Sequence, residues 1–297
     1  MTVEHITRVV LNNYVPEGVP KPSDFGVEQV AAPTEDMLKE NELLVRPLFL
    51  SCDPYMRSRI NGRGGYYIEG LKPNTAVSGL GLGVVEASTS NEFGPGDYVT
   101  GGFFGWADKS IVSALAAGAV GQVVVQLAKA RGLRVIGVAG SDKKVELIKS
   151  IGADVAFNYK TCGDFEQAIR QAAPEGVDIY FDNVGGEFLD ATLMNMRPYG
   201  RIAACGLASQ YNVTAGEGHR MENFLQIINR KLTVAGYVIT DYYPTQSFEE
   251  FLAEVSDLHA SGKITYKMDE VAGLENGPEA LIDVFVGNNF GKRIIKV

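Results

Sequence analysis

The stretch that decides the fold is Ala116-Ala117-Gly118-Ala119-Val120-Gly121-Gln122, which leads directly into the apolar, helix-like segment Val123–Ala130. Gly118 lets the backbone approach a pyrophosphate, and Gly121 lets the helix pack closely on its strand. The exposed N–H groups at the start of the helix then face the anion. Ala116 replaces the first glycine of the usual G-x-G-x-x-G pattern. The stretch therefore predicts a dinucleotide-binding turn between a strand and a helix.

The next strand-like segment indicates which dinucleotide binds. Arg134–Val138 runs into Ala139-Gly140-Ser141, without an Asp or Glu at the tip of the strand. A carboxylate there would bind the ribose hydroxyls of NAD, whereas Lys144, one helical turn further on, suits the 2′-phosphate of NADP. Asp142 is a nearby carboxylate that can take the ribose instead. The segment favours NADP(H), with Asp142 as the alternative.

Length and charge limit the class of protein. A chain of 297 residues with 45% hydrophobic residues can bury a substantial core and is expected to form two domains. The net charge of −9 argues against nucleic acid or an anionic membrane surface as the main partner. Neither a signal-like leader nor a long apolar window is found, so we expect a soluble, cytoplasmic protein.

Cysteine and histidine are rare. The three cysteines are far apart and odd in number, which indicates a reducing compartment. The three histidines lack Cys or His partners at ligand spacing, so no metal site is predicted. These residues are Cys52, Cys162 and Cys205, and His5, His219 and His259.

Two patterns of secondary structure divide the chain. Up to about residue 110, short strands separated by turns predict a β-rich domain; they are Arg8–Val15, Glu42–Ser51, Gly79–Val85 and Asp97–Phe104. From about residue 114, strands alternate with helices, which predicts a parallel sheet covered on both faces. Its strands are Arg134–Val138, Val155–Asn158, Val177–Asp182, Arg201–Cys205 and Leu232–Ile239. Its helices are Lys143–Ser150, Phe165–Ala173, Phe188–Met196 and Met221–Arg230. Two more helices, Phe248–Ser261 and Pro278–Val286, and a strand, Arg293–Val297, follow.

Several short sequence motifs, spread over nearly the whole chain, are typical of one family. They are Leu50-Ser51-Cys52-Asp53-Pro54-Tyr55-Met56-Arg57, Gly118-Ala-Val-Gly121, Phe157-Asn158-Tyr159-Lys160, Tyr180-Phe-Asp-Asn183-Val-Gly-Gly186, Cys205-Gly206, Ser209-Gln210-Tyr211-Asn212 and Gly291-Lys292. Together they resemble the zinc-independent medium-chain dehydrogenase/reductases, in the branch of prostaglandin reductases and plant alkenal double-bond reductases.

The resemblance implies an α/β fold with two domains. One is a GroES-like catalytic domain at 1–112, completed by about 262–297, and the other is a Rossmann NADP-binding domain with a doubly wound parallel sheet at 113–261. It also implies NADPH-dependent reduction of the C=C bond of α,β-unsaturated aldehydes and ketones, and a homodimer. No Lewis acid is needed if hydrogen bonds hold the developing enolate oxygen.

Tyr211 and Tyr55 are the catalytic candidates that the resemblance implies. The Tyr211 hydroxyl would bond the substrate carbonyl oxygen as hydride reaches the β-carbon, and could help deliver the α-proton. Without the Ser-Gln-Tyr-Asn context, Tyr211 would be interpreted as a half-buried loop tyrosine. Tyr55 would face the substrate, and the alternative is an ordinary core aromatic residue after Pro54.

The same resemblance implies a set of cofactor-binding residues. Lys144 and Tyr159 would flank the 2′-phosphate, although a lysine on a helix is by default a solvated charge. Cys205 would line the nicotinamide pocket, and a reactive thiol is not expected without a neighbouring base. Asn289 otherwise reads as a turn residue. The full set is Ala117, Gly118, Ala119, Val120, Gly121, Gly140, Lys144, Tyr159, Asn183, Cys205, Tyr237, Val238, Ile239 and Asn289.

The chain departs from the family at one point. About fifty residues that in the family follow the Trp106–Val112 segment, and that include the first strand of the dinucleotide-binding sheet, are absent here. Either the deletion is real or a segment is missing from the sequence as written. We expect either a break in the chain near Val112–Ala114 or that Ser110–Ala116 takes the place of the lost strand.

Three interpretations of function follow. The first is an NADPH-dependent enone reductase, which Tyr55 and Tyr211 favour. The second is a non-catalytic NADPH-binding deletion variant, which the shortened junction favours. The third is a quinone reductase with the same fold.

Overall fold

The computed structural model describes residues 4–64, 68–113, 121–242 and 245–297. The strands are β1 (His5–Leu11), β2 (Phe25–Ala31), β3 (Glu42–Ser51), β4 (Ser78–Ser88), β5 (Tyr98–Gly105), β6 (Ser110–Ser113), β7 (Ile136–Ala139), β8 (Val155–Asn158), β9 (Val177–Asp182), β10 (Met196–Ala204), β11 (Thr233–Gly236), β12 (Met268–Ala272) and β13 (Lys292–Lys296).

The helices are α1 (Met56–Arg59), α2 (Gly121–Ala130), α3 (Asp142–Ser150), α4 (Phe165–Ala172), α5 (Gly186–Leu193), α6 (Leu225–Asn229), α7 (Gln246–Ala260) and α8 (Gly277–Val286). Short 3₁₀ helices lie at Pro22–Asp24, Glu35–Met37, Ala208–Gln210, Ile239–Tyr242 and Leu274–Asn276. The chain divides into two compact units, Met1–Ala119 with Lys267–Val297, and Val120–Tyr266.

The first unit is built around β3. A sheet with the order β12-β13-β3-β4-β5 contains it, and β6 also pairs with β3, while β1 and β2 form a separate antiparallel pair. The core of this unit includes Trp106, which is fully buried, together with Phe104 and Leu281. Helix α8 lies close to that ring, since a Cβ at Gly277 would be 3.0 Å from Trp106 Cζ3.

The second unit contains only parallel strand pairs among its described residues. Strand β7 pairs with β8, and β10 pairs with both β9 and β11. Polar residues begin its helices as the sequence requires: Ser141 accepts a bond from the Lys144 amide, Asp164 from the Gln167 amide and Thr245 from the Phe248 amide. No helix in the described part of the chain is long and apolar enough to cross a membrane.

The parallel strands form two separate groups. In a doubly wound sheet, the strand that precedes the glycine turn lies between the second and fourth strands in chain order. Those neighbours are β7 and β9 here, and within the described residues no strand pairs with either of them on that side. Among the described residues, the sheet is therefore open at the position of that strand.

The expectation that Ser110–Ala116 replaces the lost strand is wrong for its described half. Ser110–Ser113 forms β6 and pairs antiparallel with β3 in the first unit, from Ser110 opposite Val45 to Ser113 opposite Glu42. This pairing with β3 keeps these residues in the first unit. Residues 114–116 lie outside the described part of the chain, as does the end of the Val112–Ala114 segment at which a break was expected.

Coverage of the sheet is also less complete than the sequence predicted. All four residues of β11 are exposed, and Ile179 in β9 is 47% exposed. Strand β9 borders the open position of the sheet, whereas β11 is the edge strand on the far side of β10.

Candidate active site

The tip of β7 is shaped by the contact between Gly140 and Tyr159. The Tyr159 amide donates to the Ala139 carbonyl at 2.9 Å, which brings its ring over the end of the strand. A Cβ at position 140 would lie 2.8 Å from Tyr159 Oη and 3.0 Å from Cε1. A larger residue at position 140 would have to displace this ring, so two residues predicted to bind the cofactor are neighbours.

Helix α3 begins immediately beyond this contact. Its first turn contains Lys144, a half-buried residue whose amide donates to the Ser141 hydroxyl at 3.4 Å. The Asp142 carboxylate accepts a hydrogen bond of 2.8 Å from Asn158 Nδ2 at the end of β8. The alternative ribose ligand is therefore already bonded within the protein.

Cys205 and Tyr237 lie together where β10 and β11 end. The Tyr237 hydroxyl lies against the Cys205 thiol, and burial, followed by the interaction with this thiol, raises the pKa of Tyr237. The Tyr237 ring packs edge-on against Phe181, with a centroid distance of 6.1 Å. Val238 follows, and Ile239 begins the 3₁₀ helix that the Val238 carbonyl helps to close, by accepting from the Asp241 amide at 3.0 Å.

A buried aspartate builds the turn between β9 and α5. Asp182, 1% exposed, accepts through Oδ1 from the Tyr180 hydroxyl and the Gly185 amide, each at 2.9 Å, and from the Val184 amide at 3.0 Å. Burial, the largest cause, and the nearby carboxylate raise the pKa of Tyr180. Asn183 lies within this turn, where its carbonyl accepts from the Ala208 amide at 3.1 Å.

The glycine pair in this turn makes room for the loop that follows β10. Gly185 and Gly186 have φ angles of +63° and +60°, which glycine adopts without strain. A Cβ at position 185 would lie 2.1 Å from Leu207 Cδ1, and one at 186 would lie 2.6 Å from Gln210 Nε2. The loop therefore packs directly against the two glycines.

Tyr211 lies in the loop that packs against these glycines, directly after Gln210. Its hydroxyl accepts a hydrogen bond of 3.3 Å from the Leu207 amide, two residues after Cys205. A phenol that accepts one bond still has its proton to donate. Tyr211 thus makes the local contact expected of a loop tyrosine, and that contact does not use the proton of its hydroxyl.

Two predicted residues belong to the first unit. Tyr55 precedes α1, and its ring meets Phe103 edge-on at 6.5 Å, while the Arg59 guanidinium lies 4.8 Å from the centre of the same Phe103 ring. Asn289 donates through Nδ2 to the Gly291 carbonyl at 2.8 Å, which is the local bond of a turn residue.

Part of the predicted glycine turn lies outside the described residues, namely Ala117, Gly118, Ala119 and Val120. Gly121 is described as the exposed first residue of α2, and a Cβ there would meet no described atom within 4 Å. The close packing expected of Gly121 is therefore not found, because the strand on which the helix would pack is absent from the described sheet.

Sequence reasoning missed one polar cluster. Asp190 belongs to no sequence motif and the histidines show no ligand spacing, yet the Asp190 and His219 side chains form a pair of 3.1 Å. No pattern of spacing links residues so far apart in sequence. Within the described residues, no group of three potential metal ligands is found, and the absence of a metal stays a prediction.

Comparison with known proteins places this site in a family. The model described as "N-terminal domain of oxidoreductase" matches residues 8–120, and the one described as "Zinc-binding dehydrogenase" matches residues 119–257. The chain belongs to the medium-chain dehydrogenase/reductases, in the branch of prostaglandin and alkenal reductases, and has their GroES-like and Rossmann domains.

Individual relatives match over nearly their whole length. A 2-alkenal reductase (NADP(+)-dependent) of Nicotiana tabacum is 37% identical, with 98% of this chain and 97% of the relative covered. Prostaglandin reductase 1 of Mus musculus is 33% identical, with 94% and 96% covered. The crystal structure of CurA in complex with NADPH from Vibrio vulnificus superposes with a TM-score of 0.87 at 31% identity, covering 98% of this chain and 99% of that one. The alignment with the tobacco enzyme spans 338 positions against 297 residues here, so that relative contains residues that this chain lacks.

Proposed function

We propose that this protein uses NADPH to reduce the C=C bond of α,β-unsaturated aldehydes and ketones, of the 2-alkenal, 2-alkenone or 15-oxo-prostaglandin type. The observation that carries the proposal is the position of the Tyr211 hydroxyl at the carboxyl end of β10, where it accepts from the Leu207 amide, two residues beyond Cys205. Open α/β sheets bind their ligands at this end of the strands. The named activities of the tobacco and mouse relatives support the same reaction.

Tyr211 would act on the substrate carbonyl. NADPH, when bound, supplies the hydride that reaches the β-carbon, and negative charge then develops on the carbonyl oxygen. The Tyr211 proton is available to stabilise that oxygen, because the hydroxyl accepts rather than donates in its bond with the Leu207 amide. Tyr55, next to Phe103, would provide an aromatic wall for the substrate.

The residues at the tip of β7 fit an adenosine 2′-phosphate. Gly140 and Tyr159 form a surface free of carboxylates, and Asp142 is already bonded to Asn158. Lys144, in the first turn of α3, would supply the positive charge. Asn183, Cys205, Tyr237, Val238, Ile239 and Asn289 would complete the binding of the nicotinamide and its phosphates.

The open sheet favours a second candidate function. No strand among the described residues lies between β7 and β9, so none of them delivers the chain to the glycine turn as a first strand normally does. If no other segment supplies that strand, we expect a protein that binds NADPH weakly or binds it without turning it over.

Consumption of NADPH, followed at its nicotinamide absorbance, tests the two candidates together. We expect oxidation with 4-hydroxynonenal and little with a quinone under the same conditions. Binding of NADPH without consumption by either acceptor would instead support the non-catalytic candidate. Consumption with the quinone alone would contradict the enone reductase.

Two further parts of the proposal concern the protein's state in the cell. Family resemblance supports a homodimer, and the sequence supports a cytoplasmic location. Light scattering of the purified protein and imaging of a tagged copy test them separately.

A further inference from the structure

A buried carboxylate that the proposed reaction does not use lies on α5. Asp190 is 4% exposed. Its Oδ2 accepts from the Glu222 amide at 3.0 Å and lies 3.1 Å from His219 Nε2, and its Oδ1 accepts from the Asn223 amide at 2.8 Å. Asn223 Nδ2 returns a bond of 3.3 Å to the Asp190 carbonyl. One side chain thus fixes the end of the loop that begins after β10.

These contacts keep the carboxylate ionised. Burial by itself would raise the pKa of Asp190, but the amides of Glu222 and Asn223 and the His219 ring outweigh burial and lower the pKa. A buried carboxylate with several donors is costly to leave without them. The 219–223 segment is therefore firmly tied to α5.

A second set of bonds links this segment to the residue before Tyr211. The His219 amide donates to Gln210 Oε1 at 2.9 Å, and Gln210 Nε2 donates to the Ser209 hydroxyl at 3.0 Å. That hydroxyl donates in turn to the Val184 carbonyl at 2.7 Å. The position of His219 thereby determines where the Gln210 side chain, and the chain entering Tyr211, can lie.

Little apolar packing is available to do the same. Residues 214–217 of the loop are exposed, and Val213 and Tyr211 are only half-buried. The polar chain from Asp190 through His219 to Gln210 therefore adds to the backbone bonds of Ala208 and Ser209 in holding the loop.

From these contacts we infer that Asp190 and His219 are positioning residues, which act through Gln210 to hold the Tyr211 hydroxyl beside the Leu207 amide. The inference rests on the proposed function, since Tyr211 is placed there as the donor to the substrate oxygen. Neither Asp190 nor His219 is expected to touch substrate or cofactor.

Replacing Asp190 by asparagine tests the inference. The amide keeps the shape of the side chain, but its Nδ2 cannot accept from a backbone amide, so the loop loosens. We expect kcat with 4-hydroxynonenal to fall about tenfold, because displacing a catalytic group by about 1 Å is enough for losses of this size. The dissociation constant for NADPH, measured by fluorescence quenching, should stay within about twofold. Glu187→Gln, an exposed carboxylate on the same helix, is the matched control and should leave both quantities unchanged.

The same substitution in a Tyr211→Phe background separates positioning from general loosening. If Asp190 acts through the Tyr211 hydroxyl, the double variant should be no slower than Tyr211→Phe alone. An equal loss from Asp190→Asn in both backgrounds would overturn the inference.

His219 provides an independent pair of variants if the Asp190 variant does not fold. His219→Ala should lower kcat, and His219→Gln should restore most of the loss because its Nε2 can donate to Asp190. Identical kcat values for both variants and the parent would contradict the inference. A parent protein that reduces no enone contradicts the proposed function itself, and that result is known before any variant is compared.

Discussion

The two hydroxyl groups of Tyr211 and Tyr237 differ in what they can donate. The Tyr237 hydroxyl is paired with the Cys205 thiol, whereas the Tyr211 hydroxyl accepts from a backbone amide. Tyr211→Phe should therefore lower kcat by about two to three powers of ten, the cost of one donor to a developing oxyanion. Its effect on the dissociation constant for NADPH should be small. Stopped-flow oxidation of NADPH with an enal measures kcat, and fluorescence quenching measures the dissociation constant. An unchanged kcat and KM would make Tyr211 a structural loop residue.

Lys144 decides the choice between NADPH and NADH in the proposed site. The tip of β7 has no carboxylate of its own, and Asp142 is bonded to Asn158. Lys144→Ala should weaken NADPH binding by about 1–3 kcal/mol, as expected for a charge-assisted hydrogen bond to phosphate. Binding of NADH should hardly change. Titration calorimetry with both cofactors gives the comparison, and equal affinities in the parent protein would contradict the assignment.

At the scale of single elements, Gly185 is the residue of the β9–α5 turn that contacts the loop after β10. Gly185→Ala puts a Cβ at a φ of +63° and 2.1 Å from Leu207 Cδ1. The strained backbone costs about 1–3 kcal/mol, and the Leu207 side chain must shift to relieve the clash. We expect a lower melting temperature and a kcat reduced along with it. Gly163→Ala, also at positive φ but with open space around it, is the control for backbone strain alone. Equal turnover in both variants would show that the contact with Leu207 is unimportant.

Strands and helices were predictable where local pattern and tertiary position agree. Glu42–Ser51, Val155–Asn158 and Val177–Asp182 are observed with the predicted bounds. Strands β2 and β12 were not predicted, since each depends on a partner distant in sequence. The helix predicted at Met221–Arg230 is reduced to Leu225–Asn229, and the amides of Glu222 and Asn223 before it bond to Asp190.

The contacts between residues of the candidate site were only partly predictable from the sequence. Gly140 and Tyr159, and Cys205 and Tyr237, are neighbours because each follows a parallel strand, and strand ends meet at one edge. The roles given to all of these residues stay predictions. The pairing of Asp190 with His219 depends on how a long loop returns to a helix, which no periodicity encodes.

Across the whole molecule, the open sheet should weaken the second unit. Strands β7 and β9 each pair on one side only among the described residues, whereas β10 pairs on both. Amides of β7 and β9 should therefore exchange with deuterium faster than those of β10, since opening them needs less disruption. Hydrogen-exchange mass spectrometry resolves these peptides. Uniform protection across all three strands would mean that another segment completes the sheet.

The buried indole of Trp106 makes the two units optically distinguishable. It is the single tryptophan of the chain, and it lies fully buried in the core of the first unit. Its emission therefore reports the melting of that unit alone, whereas far-ultraviolet circular dichroism registers the helices of both. If the second unit melts first, the dichroism signal will fall at a lower temperature than the red shift of the emission, and a two-state analysis will not apply. Emission alone would then record a thermally stable protein at temperatures where the half proposed to bind NADPH has already unfolded.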